Sequence, residues 1–521
     1  VSAYLPDALP EGFWGTGPFW FWMFWLSLFF NARAVFKLLI DWKGMRTTLG
    51  FVERAYAAVD ALPDEATLER AADRPTFVHL VPALHEPDVT KVLAALLASR
   101  YPHGGLHVIV ACREEEERSP HPAMVASTAE LVRRFRDGLP PWQRKMLSLV
   151  IAPPSDRRKA HQLNWAVRPD VLRGILGEGY DPSRVYIGLS DADSVPDPNV
   201  YRWIAAEVLG GRARLGYQGV TLSVANFERL DFRGRVCAIQ QSSIFTRVSI
   251  ARLINEVKRI ALFRRLDERA PWLGALARPV FEFCFRRSQI FLGHNQFVRL
   301  DVLMDVGGFP EAGATEDSTL GYALGSRGIL IGAMPMLETV ELPETREKLL
   351  RQNARWYKGV LDDVAFLWDV WRRRPTPFNT AQLLRHVGNK VVEWPIAALI
   401  YPVIGFLGWH LAYRFNDSLL MFAIGIGAPT CSLALTIVVG GIVTQQLVER
   451  LMVYCPRRVN VARTSLQAKF WGIFRCQTYW LLATRGAWRV LASLIRKGRF
   501  EAAKTDRVTR PVTVGRPAVS R

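Results

Sequence analysis

Four short apolar runs, separated by helical patterns, constrain this chain most. TFVHLVP (76–82), LHVIVAC (106–112), LSLVIAP (147–153) and VYIGLSD (185–191) are rich in β-branched residues. None alternates cleanly between apolar and polar, as a half-exposed strand would. Each run therefore predicts a strand buried on both faces, as parallel strands are. Stretches such as VTKVLAALLAS (89–99) lie between them and carry helical apolar spacing. Strand–helix–strand alternation predicts an α/β domain with a parallel sheet, from Thr76 to about Arg374.

Composition narrows the partners. The 521 residues include 67 Lys and Arg against 48 Asp and Glu, a net charge of +19. Such an excess suits anionic partners: nucleic acid, anionic lipid or phosphorylated substrates. A chain that is half apolar is not disordered. The six cysteines (112, 237, 284, 431, 455 and 476) form no CxxC and sit beside no histidine at zinc spacing. They read as scattered thiols.

Three uncharged runs stand outside the strand region: GFWGTGPFWFWMFWLSLFFNA between Glu11 and Arg33, Trp394–Tyr413, and Ser418–Val448. By length alone each reaches the ~30 Å of a hydrocarbon core at ~1.5 Å per helical residue. Basic residues follow the first run (Arg33, Lys37, Lys43, Arg46) and the third (PRRVNVAR, 456–463). The bias of cationic loops towards the cytoplasm then predicts three crossings with the α/β domain inside. The stretch 470–497 carries Arg475, Arg485 and Arg489 and is expected to lie in the interface rather than cross.

Within the α/β region, SDADSVPDPN (190–199) closes the fourth strand. Extended geometry puts Asp191 and Asp193 on one side, with Ala192 facing the other way. Paired carboxylates at a strand end suit a hard divalent cation, Mg²⁺ or Mn²⁺; an Asx-type turn would use the same residues. Glu316 and Asp317 precede the helical pattern TLGYALGS. Either could cap that helix, or take a proton from an attacking hydroxyl. In RQNARWYKG (351–359), Gln352, Arg355 and Trp356 share one helix face. They could bond a hydroxyl, grip a phosphate and stack on a sugar, or simply form an amphipathic helix with Trp on the core.

LVPALHEP (80–87), DRRKAHQLNWA (156–166), SDADSVPDPN, GHNQFVRLDVLMDVGGFPE (293–311), TED (315–317) and QNARW (352–356) occur in that order. Together they resemble the membrane-embedded glycosyltransferase family 2, which includes cellulose, chitin, hyaluronan and curdlan synthases. The resemblance implies a GT-A type, Rossmann-like cytoplasmic glycosyltransferase domain flanked by transmembrane helices. It divides the chain into an N-terminal transmembrane helix (1–33), an amphipathic connector (34–75), the catalytic domain (76–374) and an interface helix (375–393). Two transmembrane helices (394–448), a basic loop with an interfacial helix (449–497) and a basic disordered tail (498–521) complete it.

It also implies roles. Asp317 would be the catalytic base. Asp191 and Asp193 would hold Mg²⁺ or Mn²⁺ and the donor diphosphate. Glu86, Glu114, Lys159 and Arg355 would contact the donor. Glu316, Gln352 and Trp356 would contact the acceptor. In VIVACREEEE the acid expected to read the base is preceded by Arg113, and any of Glu114 to Glu117 could serve.

The expected activity is metal-dependent, inverting transfer of a hexose from a nucleotide sugar, UDP-hexose first, to a growing β-linked glycan. Transfer of one sugar to a lipid or short glycan is an alternative, and an inactive membrane receptor or assembly scaffold is another. The expected partners are nucleotide-sugar donor, glycan or lipid-linked acceptor, membrane lipid and a further copy of the chain, with no nucleic acid. The expected location is the cell inner membrane, multi-pass, with the catalytic domain cytoplasmic.

Overall fold

The structure is a computed structural model that describes residues 18–122, 124–155, 158–414, 418–437, 444–456 and 477–500. Its centre is an eight-stranded sheet: β1 Thr76–Pro82, β2 Leu106–Arg113, β3 Leu147–Ala152, β4 Val185–Leu189, β5 Val195–Pro196, β6 Gly216–Leu222, β7 Gln296–Arg299 and β8 Ile331–Thr339. The order is β3-β2-β1-β4-β7-β6-β8-β5. Strands β3, β2, β1 and β4 are mutually parallel, as the four apolar runs predict. Strand β7 runs against both of its neighbours, β4 and β6. Strand β8 is parallel to β6, and the two-residue β5 closes the edge antiparallel to β8.

Both faces of the sheet are covered. On β1, Phe77 and Val81 enter one apolar layer while Val78 and Leu80 enter the other. On β2, Val108 and Val110 join the first layer, Ile109 and Ala111 the second. Each fully buried Val or Leu adds about 1.5–3 kcal/mol, so a one-residue register slip is heavily disfavoured.

The helices needed below are α1 Pro18–Ala57, α2 Val89–Leu97, α3 Arg158–Ala166, α4 Glu316–Ser326, α5 Arg346–Arg373 and α6 Gln477–Lys497. Helix α2 packs on the first layer through Val89, Val92, Leu93 and Leu96. Helices α3 and α4 share the second, through Ala160 and Leu163 and through Leu320 and Leu324. That shared layer places their N-terminal turns side by side. Residues 34–57, expected as a connector, continue α1, and Met45, Leu49 and Val52 bury against a third cluster.

The membrane expectation is corrected. No helix among the described residues is long and apolar enough to cross a membrane. Thus the flanking transmembrane helices, and with them the multi-pass inner-membrane placement, are not supported. Among the described residues the second and third uncharged runs are interrupted. Trp394–Tyr413 is divided between Glu393–Ile396 and Ile400–Arg414, and the latter has 15 residues. At ~1.5 Å per residue that is about 22 Å, short of a ~30 Å core. In the third run, a π turn at Ala423–Gly427 separates Leu419–Phe422 from Ala428–Ile437. Helix α1 is 40 residues long, but Arg33, Lys37, Asp41, Lys43 and Arg46 punctuate it.

Residues 1–17, most of the basic stretch 456–463, residues 470–476 and the tail beyond 500 lie outside the described residues. Helix α6 packs along α5: Ala487 and Val490 meet Ala354, Tyr357 and Val360, and Arg489 pairs with Glu347 at 2.7 Å.

Candidate active site

Strands β1, β2, β3, β4, β6 and β8 end, and β7 begins, at one edge of the sheet, because β7 is reversed. Asp191 leaves β4 there in a turn closed by the Ser194 N–H bonding the Asp191 carbonyl at 3.0 Å. Ala192 is buried in the apolar layer, while Asp191 and Asp193 are each half-buried.

Lys159, on the first turn of α3, ties the edge together. Its Nζ lies 2.8 Å from Asp191 Oδ1, 3.1 Å from Glu316 Oε1 and 3.1 Å from the Gly293 carbonyl oxygen. Burial pulls the ammonium's proton affinity down, but Asp191 and Glu316 more than offset it and raise it. Lys159 is therefore a fixed positive charge.

Glu316 and Asp317 open α4, with Thr315 at its N-cap position. Glu316 is buried against Lys159. Asp317 differs: its Oδ1 accepts from the Ser318 N–H at 2.8 Å. Its Oδ2 lies against Gly293, where an added Cβ would come within 2.7 Å of it. Gly293 also has a φ of +83°, which a side chain would strain. Removal from water and the charge of Glu316 push the Asp317 carboxyl up to about 7, against the downward pull of Lys159 and the Ser318 N–H. Asp317 can thus take and release a proton near neutrality, as a general base must.

Behind this edge lies a polar layer. His294 is buried, with Nδ1 3.1 Å from Glu338 Oε2 and 3.1 Å from Thr221 Oγ1. Burial favours the neutral ring, yet the hydrogen bond and charge of Glu338 outweigh it and raise the His294 pKa. The other Glu338 oxygen accepts from Ser190 Oγ at 2.6 Å, so the residue before Asp191 is anchored too.

Helix α5 brings up the remaining expected residues. Trp356 meets Phe245 with ring centres 6.2 Å apart, and Phe245 meets His294 at 6.0 Å. Gln352 Oε1 is buried with no hydrogen bond among the described residues. Arg355 is half-buried and has no ion pair among the described residues, whereas neighbouring Lys358 is tied to Asp362.

The β1 and β2 loops separate the remaining candidates. Glu86 is buried after β1, and its N–H bonds Thr128 Oγ1 at 3.0 Å. Of the four consecutive glutamates, Glu114 pairs with exposed Arg118, Glu115 with Arg113 and Glu117 with Arg133. Only Glu116 turns inward. It is 2% exposed, accepts from the N–H and hydroxyl of Thr128, and lies 3.7 Å from His85. The periodicity of a charged run gave no reason to prefer Glu116 over Glu114.

Among the described residues, no group of three or more His, Cys, Asp and Glu side chains is placed to hold a metal ion. Asp191 and Asp193 offer oxygen donors on a half-buried turn, which fits a hard divalent cation sharing its other positions with phosphate and water.

Residues 186–443 match the family described as "Glycosyl transferase family group 2". Over that stretch, just under half of the chain, the sequence is similar to family 2 glycosyltransferases. The sheet just described, parallel strands β1–β4 beside a reversed strand and under helical cover, is the α/β architecture expected from the sequence. No curated protein matches the sequence. Solved structures similar to the chain include the mannosyltransferase PcManGT from Pyrobaculum calidifontis in complex with GDP-Man and Mn²⁺. It is 15% identical, covers 90% of this chain and 100% of that one, and has a TM-score of 0.39. Staphylococcus aureus TarS 1–349 is 12% identical over 82% of this chain and 92% of that one, with a TM-score of 0.29. The same TarS fragment in complex with UDP-GlcNAc is 11% identical over 73% and 90%, with a TM-score of 0.28. Likenesses this distant do not carry those ligands over to this chain.

Proposed function

We propose that this domain transfers a hexose from a nucleotide sugar, a UDP-hexose first, to a sugar hydroxyl at the end of a β-linked glycan, with inversion. One observation carries the reading. Lys159 joins Asp191 and Glu316, from separate elements, around Gly293, and Asp317 beside them is raised to about 7.

The acceptor hydroxyl attacks the anomeric carbon from the face opposite the leaving group. As the new C–O bond forms, the hydroxyl proton passes to Asp317 and the bond to the diphosphate breaks with its electron pair. A single displacement converts an α-linked donor into a β-link. Lys159 and the guanidinium of Arg355 meet the negative charge that grows on the diphosphate. Asp191 and Asp193 would hold Mg²⁺ or Mn²⁺, which supplies further neutralisation of that charge when bound. Trp356 offers a ring for the acceptor sugar to stack on, and Gln352 a buried amide oxygen for one of its hydroxyls. Glu86 and Glu116 border the nucleoside end, and their geometry favours Glu116 over Glu114 for contact with the base.

The test is a screen of nucleotide sugars against the purified chain with Mg²⁺ or Mn²⁺, reading released nucleoside diphosphate and product length. Turnover with at least one donor, lost in Asp317→Asn while that donor still binds, is expected. Full activity of Asp317→Asn would overturn the assignment of the base.

A further inference from the structure

We propose that Asp363 is a positioning residue, holding the Glu316–Asp317 turn in register with the substrate-facing side of α5. The inference rests on the transferase reading above and adds a residue that no motif in the sequence marks.

Asp363 is 1% exposed and lies on α5, two turns beyond Trp356. A buried carboxylate is costly unless hydrogen bonds replace the water it has lost. Both of its oxygens are engaged by the first turn of α4. Ser318 Oγ donates to Oδ2 at 2.8 Å, and Thr319 Oγ1 donates to Oδ1 at 2.6 Å. Ser318 is also the residue whose N–H fixes Asp317 Oδ1. The path from Asp363 to the proposed base is therefore two hydrogen bonds long.

The rest of that α5 face grips the same turn. Asp362 Oδ2 accepts from the Ala314 N–H at 3.0 Å. Gly359 packs so closely on Thr315 that no Cβ fits between them. Trp356, Gly359 and Asp363 fall at i, i+3 and i+7, one stripe of the helix. Trp356 at one end of that stripe faces the site through Phe245, and Asp363 at the other end holds the carboxylate turn. One rigid helix thus sets the distance between the stacking ring and the base. Misplacing a reacting group by about 1 Å can cost on the order of a hundredfold in rate.

A purely structural role predicts something different: loss of folded protein, with unaltered kinetics in whatever stays folded. The two hydroxyls have second acceptors. Thr319 Oγ1 also reaches the Thr315 carbonyl at 3.0 Å, and Ser318 Oγ lies 3.0 Å from Thr315 Oγ1. Removing the Asp363 carboxylate therefore strands no donor, and the fold should survive.

The experiment compares Asp363→Leu with Asp363→Asn, which keeps an acceptor oxygen, using the full chain and a donor found active in the screen. Asp363→Leu is expected to lower kcat about 10- to 100-fold, with donor KM within about twofold, and Asp363→Asn to recover most of the loss. Ser318→Ala and Thr319→Val, each leaving Asp363 one hydroxyl, should each lower kcat a few-fold; they stand in should Asp363→Leu fail to fold. Folded Asp363→Leu with wild-type kcat would overturn the proposal, as would Asp363→Asn no better than Asp363→Leu. If Asp363→Leu does not fold, wild-type kcat in both hydroxyl variants overturns it. A wild-type chain that turns over no donor defeats the transferase reading instead, and the two failures are told apart at the first step.

Discussion

Two carboxylate pairs face each other across Lys159, and they behave in opposite ways. Asp191 and Asp193 sit on a turn after β4, half-buried, with Asp191 bonded directly to the ammonium. Glu316 and Asp317 open α4. There Glu316 takes the ammonium, and Asp317, beside that charge and withdrawn from water, is pushed up to about 7. The residue types are nearly the same, so the environment makes the difference; on the proposed reading the first pair would hold a cation and the second a proton that leaves near neutral pH.

Removing the mobile proton site should do the most damage. Asp317→Asn is expected to reduce transfer by about 10²–10⁴-fold, while donor affinity by calorimetry stays within about twofold. Disabling the cation-holding pair comes next. Asp191→Asn with Asp193→Asn, or a chelator on the wild type, should cost about a hundredfold in turnover, chiefly through donor KM, and added Mg²⁺ or Mn²⁺ should rescue the chelated enzyme only. Turnover indifferent to chelator would erase the distinction between the pairs.

Acidity sharpens the contrast further. On the proposed mechanism Asp317 works deprotonated, and its pKa is raised to about 7. A log plot of kcat/KM should therefore fall about tenfold per pH unit below that value and level off above it. Glu316→Gln tests the cause. Glu316 raises Asp317, and freeing Lys159 from Glu316 strengthens the pull that lowers it. Both effects move the acid limb to lower pH, and a limb that stays put or rises would contradict the electrostatic account. The smallest effect is expected at the nucleoside end: Glu116→Gln should change the preference among donor bases a few-fold in competition assays, and Glu114→Gln should leave it unchanged.

Much of the parallel half of the sheet was legible. TFVHLVP became β1 over the same residues, and VYIGL, the first five residues of its run, became β4. Continuous β-branched runs have few alternatives to a doubly buried strand. Strand β7 was not legible, because its four residues and reversed direction are set by neighbours far away in sequence. Strand β8, IGAMPMLET, has too few β-branched residues to stand out.

At the site, spacing marked Asp191, Glu316, Asp317 and Trp356. It could not mark Glu338, Asp363 or the inward-facing Glu116, whose importance comes only from what folds against them. The uncharged runs misled for a related reason. Counting apolar residues measures length, whereas π turns and charges decide whether that length becomes one continuous apolar helix.

The reversal of β7 has a mechanical consequence. Were it aligned with its neighbours, the segment reaching the site would be an outgoing loop, free to adjust. Instead the incoming chain arrives from the helices Ala251–Arg269 and Pro271–Val280, passes Gly293, whose carbonyl accepts from Lys159, and is clamped at once into the sheet centre. The ammonium is thereby coupled through covalent backbone to a distant helical hairpin. A shift of that hairpin that travels along the chain would reach the ammonium at Gly293.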